Sequence, residues 1–139
     1  MKTFFADTGY WIATLYPQDP LHDIAKVVSQ RLFPFRVITT DWVLNELLNA
    51  FSKKDRRVRQ LAAAFVESLQ SDPNVEIIPA TSQLFDRALK LYRDRPDSAW
   101  SHTDCISFCV MGDRQIREAL AHDRHFEQAG FVALLRQTN

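Results

Sequence analysis

The stretch from Thr3 to Gly9 constrains the fold more than any other part of this chain. The apolar residues Phe4, Phe5 and Ala6 are followed directly by Asp7 and a hydroxyl residue. A short apolar run that ends at a turn signal is typical of a strand buried on both faces, as in a parallel sheet. Ligands of open parallel sheets bind at the carboxyl ends of the strands. Asp7 is therefore either the N-cap of a following helix or a member of a binding site.

The rest of the chain alternates short apolar runs with segments of helical periodicity. Strands are predicted at 3–6, 36–39, 75–79 and 131–135, and helices at 10–16, 20–32, 43–51, 61–69, 84–92, 105–111 and 124–129. The segment 116–121 is ambiguous, because residues 117–120 favour a helix by propensity, yet the segment ends in His122 and Asp123 much as the first strand ends in Asp7. This alternation predicts a mainly parallel sheet covered by helices on both faces.

Acidic residues recur at places that such a sheet would bring together. Asp7 and Asp123 follow predicted strands, Glu46 lies on a helix after a strand, and Asp104 lies in the first turn of a buried helix. Each has an ordinary explanation: Asp7 and Asp123 as caps, Asp104 as the partner of Ser101 in a capping box, and Glu46 as a solvated residue. Several carboxylates at one edge of a sheet would repel one another unless a cation lay among them.

A cation among these acids would point to one kind of chemistry. Carboxylate oxygens are the ligands that Mg²⁺ and Mn²⁺ prefer. Such an ion polarises a phosphodiester, lowers the pKa of a bound water and stabilises the leaving oxygen. A shared acidic site therefore predicts a nuclease, whereas a phosphate-binding P-loop is excluded because glycine occurs only at positions 9, 112 and 130.

The charge balance limits how the protein could hold a nucleic acid. Lys and Arg total 17 and Asp and Glu total 17, so binding must come from a local basic patch. The densest run of bases, called the basic patch below, consists of Lys53, Lys54, Arg56, Arg57 and Arg59. It is predicted either to bind RNA phosphates or to be a solvated helix end. Arg124, His122 and His125 flank Asp123, where they are either substrate contacts or ordinary surface residues.

Two further features bear on location and on metal chemistry. No apolar run approaches the roughly 20 residues of a membrane span, and Asp7 interrupts any signal-peptide core, which predicts a cytoplasmic protein. Cys105 and Cys109, with His122 and His125, form an alternative zinc site of the Cys₂His₂ type. That alternative is disfavoured, because both cysteines lie in an apolar helix, where Cys acts as a small hydrophobe.

Four segments of the chain resemble the four motifs of PIN-domain proteins, and the most similar group is the bacterial VapC-type toxin ribonucleases. The segments are residues 5–11 (FADTGYW), 43–49 (VLNELLN), 100–108 (WSHTDCISF) and 123–131 (DRHFEQAGF). The resemblance spans nearly the whole chain. It implies a single PIN domain over residues 1–139, with a three-layer α/β/α fold, and it makes 116–121 a strand.

The resemblance also implies an activity and the residues that carry it. It implies a Mg²⁺- or Mn²⁺-dependent endoribonuclease that acts through a metal-activated water, as the toxin of a type II toxin–antitoxin pair. Its metal-binding and catalytic residues would be Asp7, Glu46, Asp104 and Asp123, with Thr8 as a supporting hydroxyl. Its partners would be RNA, a cognate antitoxin and a second copy of the chain in a homodimer.

One position departs from the family pattern. Many relatives have a small hydroxyl residue two positions before the last acid, where this chain has Ala121. The departure puts a supporting hydrogen bond in doubt, but not the acidic site. A catalytically silent PIN-fold module that binds RNA or a protein is the alternative function, and the presence of all four acids argues against it.

Overall fold

A single sheet of parallel strands forms the centre of the protein. The computed structural model describes residues 1–136. Its strands are β1 (Lys2–Ala6), β2 (Phe35–Thr40), β3 (Val75–Ile78), β4 (Glu118–Leu120) and β5 (Val132–Ala133), in the spatial order β3-β2-β1-β4-β5. Every neighbouring pair is parallel, and Phe5 of the central strand lies opposite Ile38 on one side and Ala119 on the other. All carboxyl ends therefore lie at one edge, as the sequence predicts.

Helices cover both faces of this sheet. They are α1 (Thr8–Leu15), α2 (His22–Leu32), α3 (Asp41–Ala50), α4 (Arg56–Ser71), α5 (Ser82–Asp94), α6 (His102–Asp113) and α7 (Arg124–Gln128). Helices α1–α4 pack on one another, and α5–α7 form a second group. The right-handed crossovers of parallel sheets place such groups on opposite faces. Within residues 1–136, no helix is both long and apolar enough to cross a membrane.

The predicted strand at 116–121 is confirmed as β4, but several other element boundaries differ from the prediction. Helix α4 begins at Arg56 rather than at residue 61, because the Asp55 side chain caps it by accepting a hydrogen bond from the Val58 amide. The last strand stops at Ala133, and Leu134–Arg136 forms a 3₁₀ helix instead. The chain turns there because Leu134 and Leu135 are buried, and the Leu135 amide donates a hydrogen bond to the Ala121 carbonyl at 3.1 Å. Helix α2 begins at His22 rather than at residue 20, because residues 19–21 form a turn.

A row of aromatic rings anchors the starts of α6 and α7 to the central strand. The Phe126 ring of α7 lies 6.4 Å from Phe5 of β1 and 5.1 Å from Phe108 of α6, centroid to centroid. The Phe108 ring in turn meets Trp100 edge-on at 5.1 Å. Edge-to-face pairs at such distances are favourable. This core therefore fixes the two helix starts that carry Asp104 and Asp123.

Candidate metal centre

Asp7 lies at the carboxyl end of the central strand. Its backbone amide donates a hydrogen bond to the Leu120 carbonyl at 3.1 Å, which ties it to the end of the neighbouring strand β4. It occupies the N-cap position of α1, but its side chain makes no capping hydrogen bond. The ordinary explanation of Asp7 as a side-chain cap is therefore wrong.

Burial and neighbouring charges make Asp7 an unusual carboxyl. Burial raises its pKa to about 7, although a hydrogen bond from the Thr8 backbone acts in the opposite direction. The negative charges of Asp104, Glu46 and Asp123 raise this pKa further. The four predicted acids therefore lie close enough to interact, and an unbalanced, half-buried carboxyl among them fits a cation site.

Glu46 reaches this edge through helix α3. The Thr40 side chain, at the end of β2, accepts a hydrogen bond from the Val43 amide at 3.1 Å and so starts the helix there. One turn later, Glu46 accepts a hydrogen bond from the Thr8 hydroxyl, Oγ1 to Oε1, at 2.6 Å. Thr8, predicted as a supporting hydroxyl, thus contacts Glu46 directly beside Asp7.

Asp104 contributes to the N-terminal capping of α6 and also belongs to the acidic cluster. The Ser101 hydroxyl accepts a hydrogen bond from the Asp104 amide at 3.0 Å, and Asp104 Oδ2 accepts one from the Ser101 amide at 3.0 Å. The predicted capping box is therefore confirmed. The same Oδ2 atom lies 3.0 Å from Nδ1 of His125, so the cap and the cluster share one oxygen.

Asp123 likewise caps a helix and contacts His125. Its Oδ1 accepts a hydrogen bond from the His125 amide at 2.9 Å and caps α7, and the same oxygen lies 3.2 Å from His125 Nδ1. One ligand atom from each of Asp104, Asp123 and His125 lies within 4.8 Å of the others, and this is the one such group of metal-binding side chains within residues 1–136. Carboxylates with one imidazole suit a divalent cation.

The zinc alternative is wrong for the residues that the structure describes. Cys105 is fully buried in the core, Cys109 lies one turn later on α6, and both are free thiols. Burial raises the pKa of both thiols, which opposes the thiolate form that zinc requires. Neither sulfur belongs to the group around His125.

A buried polar chain supports the strand end that carries Asp7. The Trp11 indole donates a hydrogen bond to Thr39 Oγ1 at 3.3 Å, and Thr39 Oγ1 donates one to the Ala6 carbonyl at 2.9 Å. Trp11 and Thr39 are both buried. These two hydrogen bonds therefore connect α1 and β2 to Ala6, the last residue of β1, directly before Asp7.

The basic patch lies in the turn after α3 and in the first turn of α4. Its residues are exposed. Lys54 Nζ lies 5.6 Å from the Tyr16 ring centroid, and Arg59 donates to the Ser52 carbonyl. The patch begins shortly after α3 ends at Ala50, and Ala50 lies about 6 Å from Glu46 along the helix axis, since it is four residues further on. Arg124, by contrast, is exposed directly beside Asp123.

The contact of His125 with two of the acids was not predicted from the sequence. The sequence suggested a substrate contact or a zinc ligand at this residue. It could not show the pairing with Asp104, because the two residues lie 21 positions apart and no local pattern reveals such a contact. The available signal was its place two residues after Asp123, in the first turn of a short helix, where a capping carboxylate folds back over the backbone.

Comparison with known proteins places these observations in a family. A family model for the PIN domain matches residues 4–132. The chain is 30% identical over 128 residues to the 23S rRNA-specific endonuclease VapC20 of Mycobacterium tuberculosis. The aligned region covers 92% of this chain and 95% of the relative.

Solved structures show the same fold. The crystal structure of Mycobacterium tuberculosis VapC20, described as a Sarcin-Ricin loop cleaving toxin, matches with a TM-score of 0.82 at 28% identity, over 93% of this chain and 96% of that one. VapBC2 from Rickettsia felis, bound to a DNA fragment from the promoter, matches with a TM-score of 0.68 at 11% identity, over 94% and 96%. FitAcB from Neisseria gonorrhoeae matches with a TM-score of 0.64 at 14% identity, over 94% of each chain.

Proposed function

Because this chain belongs to the PIN domain family, we propose that it is a metal-dependent endoribonuclease that hydrolyses RNA phosphodiester bonds. The observation that carries the proposal is Asp7, a carboxyl with a pKa of about 7 surrounded by three further acids at the carboxyl edge of a parallel sheet. That arrangement is costly for folding unless a cation balances it. The resemblance to VapC20, named an endonuclease, supports the same activity.

The proposed centre consists of Asp7, Glu46, Asp104 and Asp123, which would hold Mg²⁺ or Mn²⁺. A divalent ion bound there would supply a water of lowered pKa and stabilise charge on the leaving oxygen. Asp7 is the acid that retains a proton near neutral pH before a cation binds, because burial and its neighbours raise its pKa. Thr8 holds Glu46 in position through its 2.6 Å hydrogen bond, and the aromatic core fixes the helix starts of Asp104 and Asp123.

The substrate and partners are proposed on the basis of the relatives. VapC20 is named as specific for 23S rRNA and as cleaving the Sarcin-Ricin loop, so a structured rRNA stem-loop is the first substrate to test. We further propose that the chain is the toxin of a type II pair, acts in the cytoplasm, binds a cognate antitoxin and forms a homodimer. The basic patch and Arg124 are proposed to contact RNA phosphates, since all six side chains are exposed.

The direct test is cleavage of RNA by the purified protein. Total bacterial RNA and a synthetic Sarcin-Ricin stem-loop are incubated with the protein in Mg²⁺ or Mn²⁺, with EDTA, and with EDTA followed by excess metal. The proposal predicts discrete products that disappear with EDTA and return with metal. Binding of RNA without any cleavage would instead favour the catalytically silent RNA- or protein-binding module.

A further inference from the structure

Nδ1 of His125 lies between two of the acids, 3.0 Å from Asp104 Oδ2 and 3.2 Å from Asp123 Oδ1. We propose that His125 is itself a ligand of the metal centre, so that the centre is a mixed carboxylate–imidazole site rather than a purely carboxylate one. This inference rests on the proposed function, because it requires that a divalent cation binds at the acids.

The spacing of the donor atoms fits a shared ion. Ligands of an octahedral Mg²⁺ or Mn²⁺ lie about 2.1 Å from the metal, so two adjacent ligands are about 3.0 Å apart. The two separations from His125 Nδ1, 3.0 and 3.2 Å, match two edges of such an octahedron. One oxygen of the Asp104 carboxylate and one of the Asp123 carboxylate also lie within 4.8 Å of each other, a range that includes both opposite and adjacent positions on the octahedron.

The surrounding structure holds the imidazole in this place. Phe126, the next residue, is fully buried and packs between Phe5 and Phe108, so the short helix α7 is fixed to the core. The hydrogen bond from the His125 amide to Asp123 Oδ1 brings that carboxylate over the first turn. The side chain of His125 is 22% exposed, so an ion could reach it from solvent while most of the ring remains packed.

An imidazole ligand changes which cations the site prefers. Mg²⁺ and Mn²⁺ both prefer oxygen ligands, but Mn²⁺, as a transition-metal ion, accepts an imidazole nitrogen more readily than Mg²⁺ does. Coordination requires that Nδ1 be unprotonated, with the ring hydrogen on Nε2. The wild type should therefore favour Mn²⁺ over Mg²⁺ more strongly than a variant without this nitrogen.

The test measures metal binding by the RNA-free full chain. Calorimetric titrations with Mg²⁺ and with Mn²⁺ are compared for the wild type, His125→Gln, His125→Asn and the control His122→Gln, which changes a nearby histidine outside the cluster. Electron spin-echo spectroscopy of the Mn²⁺-loaded proteins detects a coordinated imidazole nitrogen. Circular dichroism establishes that each variant is folded, and two different substitutions at His125 guard against the loss of one to misfolding.

The expected result is a nitrogen signal in the wild type and in His122→Gln that is lost from both His125 variants. Affinity for Mn²⁺ should fall about 10-fold or more in the His125 variants, and affinity for Mg²⁺ should fall less. Bound Mn²⁺ without a nitrogen signal in the wild type, or with one that survives in the His125 variants, would overturn the inference and leave the proposed nuclease intact. Failure of the wild type to bind either ion would overturn both.

Discussion

At the scale of single residues, the acids of the proposed centre differ in how much of the fold depends on them. Asp104 and Asp123 each cap a helix with the oxygen that also faces His125. Asp7 makes no side-chain cap. Substitution of Asp7 therefore changes the charge of the cluster with little direct loss of structural hydrogen bonds, which makes it the clearest residue at which to separate chemistry from folding.

Replacing Asp7 by Asn should stabilise the metal-free protein at alkaline pH. The pKa of Asp7 is about 7 in the folded protein against an ordinary value of 3.8, so the unfolded chain loses this proton first as the pH rises. The free energy of unfolding of the wild type should therefore fall between about pH 4 and pH 7, and Asp7→Asn removes this loss. The gain should be about 1–3 kcal/mol at pH 8 and near zero at pH 4, as measured by urea unfolding in EDTA.

The control for this measurement is Glu67→Gln, which neutralises an exposed carboxylate on α4, a helix that carries none of the four acids. It should leave the unfolding free energy nearly unchanged at both pH values. If Asp7→Asn were no more stable than the wild type at pH 8, the proposed destabilisation of the folded protein by the ionised Asp7 carboxylate would be wrong.

Asp104→Asn should lower the cleavage rate with little loss of stability, whereas Ser101→Ala should lower the stability with little loss of cleavage. Asn retains an oxygen that can accept from the Ser101 amide, so the helix start survives while the charge is lost. Ser101→Ala removes the hydroxyl that caps α6 and should cost about 1 kcal/mol of stability but preserve cleavage at saturating RNA. Thermal unfolding and cleavage rates of both variants check this; equal loss of cleavage in both would indicate a purely structural role for the acid.

At the scale of elements, the proposed site is assembled from the N-terminal parts of four helices. Helices α1, α3 and α7 each follow a parallel strand, whereas α6 follows α5. Asp7 precedes α1, and Asp123 precedes α7. The first turn of α6 carries Asp104, and Glu46 lies one turn into α3, which starts at the end of β2. Helix N-termini carry partial positive charge, which favours carboxylates in these positions. The same geometry explains why Asp104 and Asp123 serve as caps and also remain available at the edge.

The turn between α3 and α4 supplies the element-scale prediction about RNA. If the basic patch binds phosphates, the triple variant Lys54→Ala, Arg56→Ala, Arg57→Ala should weaken binding of all single-stranded RNA sequences alike. The salt dependence should become shallower by about 0.7 in slope per lost contact. Cleavage should recover at high RNA concentration, because the acids are untouched.

A matched control removes the same charge elsewhere. The variant Lys26→Ala, Lys90→Ala, Arg93→Ala changes three exposed bases on α2 and α5. Its salt slope should remain that of the wild type. Identical slopes for the wild type and the basic-patch variant, in fluorescence binding titrations, would show that the patch is a solvated surface.

The sequence predicted the elements best where periodicity and caps agree. The capping box of Ser101 lies where the sequence placed it, and the predicted helices 43–51 and 84–92 are found directly after the side-chain caps Thr40 and Thr81. Strand β4 could not be predicted from local propensity, because its residues favour a helix and only pairing with β1 and β5 makes it a strand. The 3₁₀ helix at the end of the described chain likewise follows from tertiary burial of Leu134 and Leu135.

The proposed site follows from the sequence as a set of residues but not as a set of contacts. The sequence and its resemblance named the four acids and Thr8, because each lies in a recognisable motif. The bond from Thr8 to Glu46 spans 38 positions and that from His125 to Asp104 spans 21, and no single-chain pattern encodes such pairings. Only the strand order brings them to one edge.

At the scale of the whole molecule, the centre exists only when the chain is folded. Its acids come from both ends and the middle of the sequence, and β1 lies between β2 and β4 in the sheet. An ion that binds this arrangement binds the folded state alone, so it should stabilise the protein by mass action. Metal binding at the proposed centre would therefore be thermodynamically linked to the global fold.

Divalent cations should raise the stability of the wild type in the absence of RNA. At 100 times the dissociation constant the gain should be about 2.7 kcal/mol, and it should shrink in Asp7→Asn because one carboxylate ligand is lost. Melting curves across a Mn²⁺ titration measure this. An unchanged melting temperature of the wild type at saturating Mn²⁺ would contradict a preformed site in the folded chain.

The central claim is that the acidic cluster performs RNA hydrolysis, and the most direct test is the single-turnover cleavage rate at saturating RNA in Mg²⁺ or Mn²⁺. The wild type and Asp7→Asn are compared on the same RNA, with binding measured in parallel. The account predicts near-normal binding by Asp7→Asn and a cleavage rate lower by about 10²-fold or more, a loss typical of removing one electrostatic stabiliser. A folded Asp7→Asn protein that cleaves RNA at the wild-type rate would contradict it.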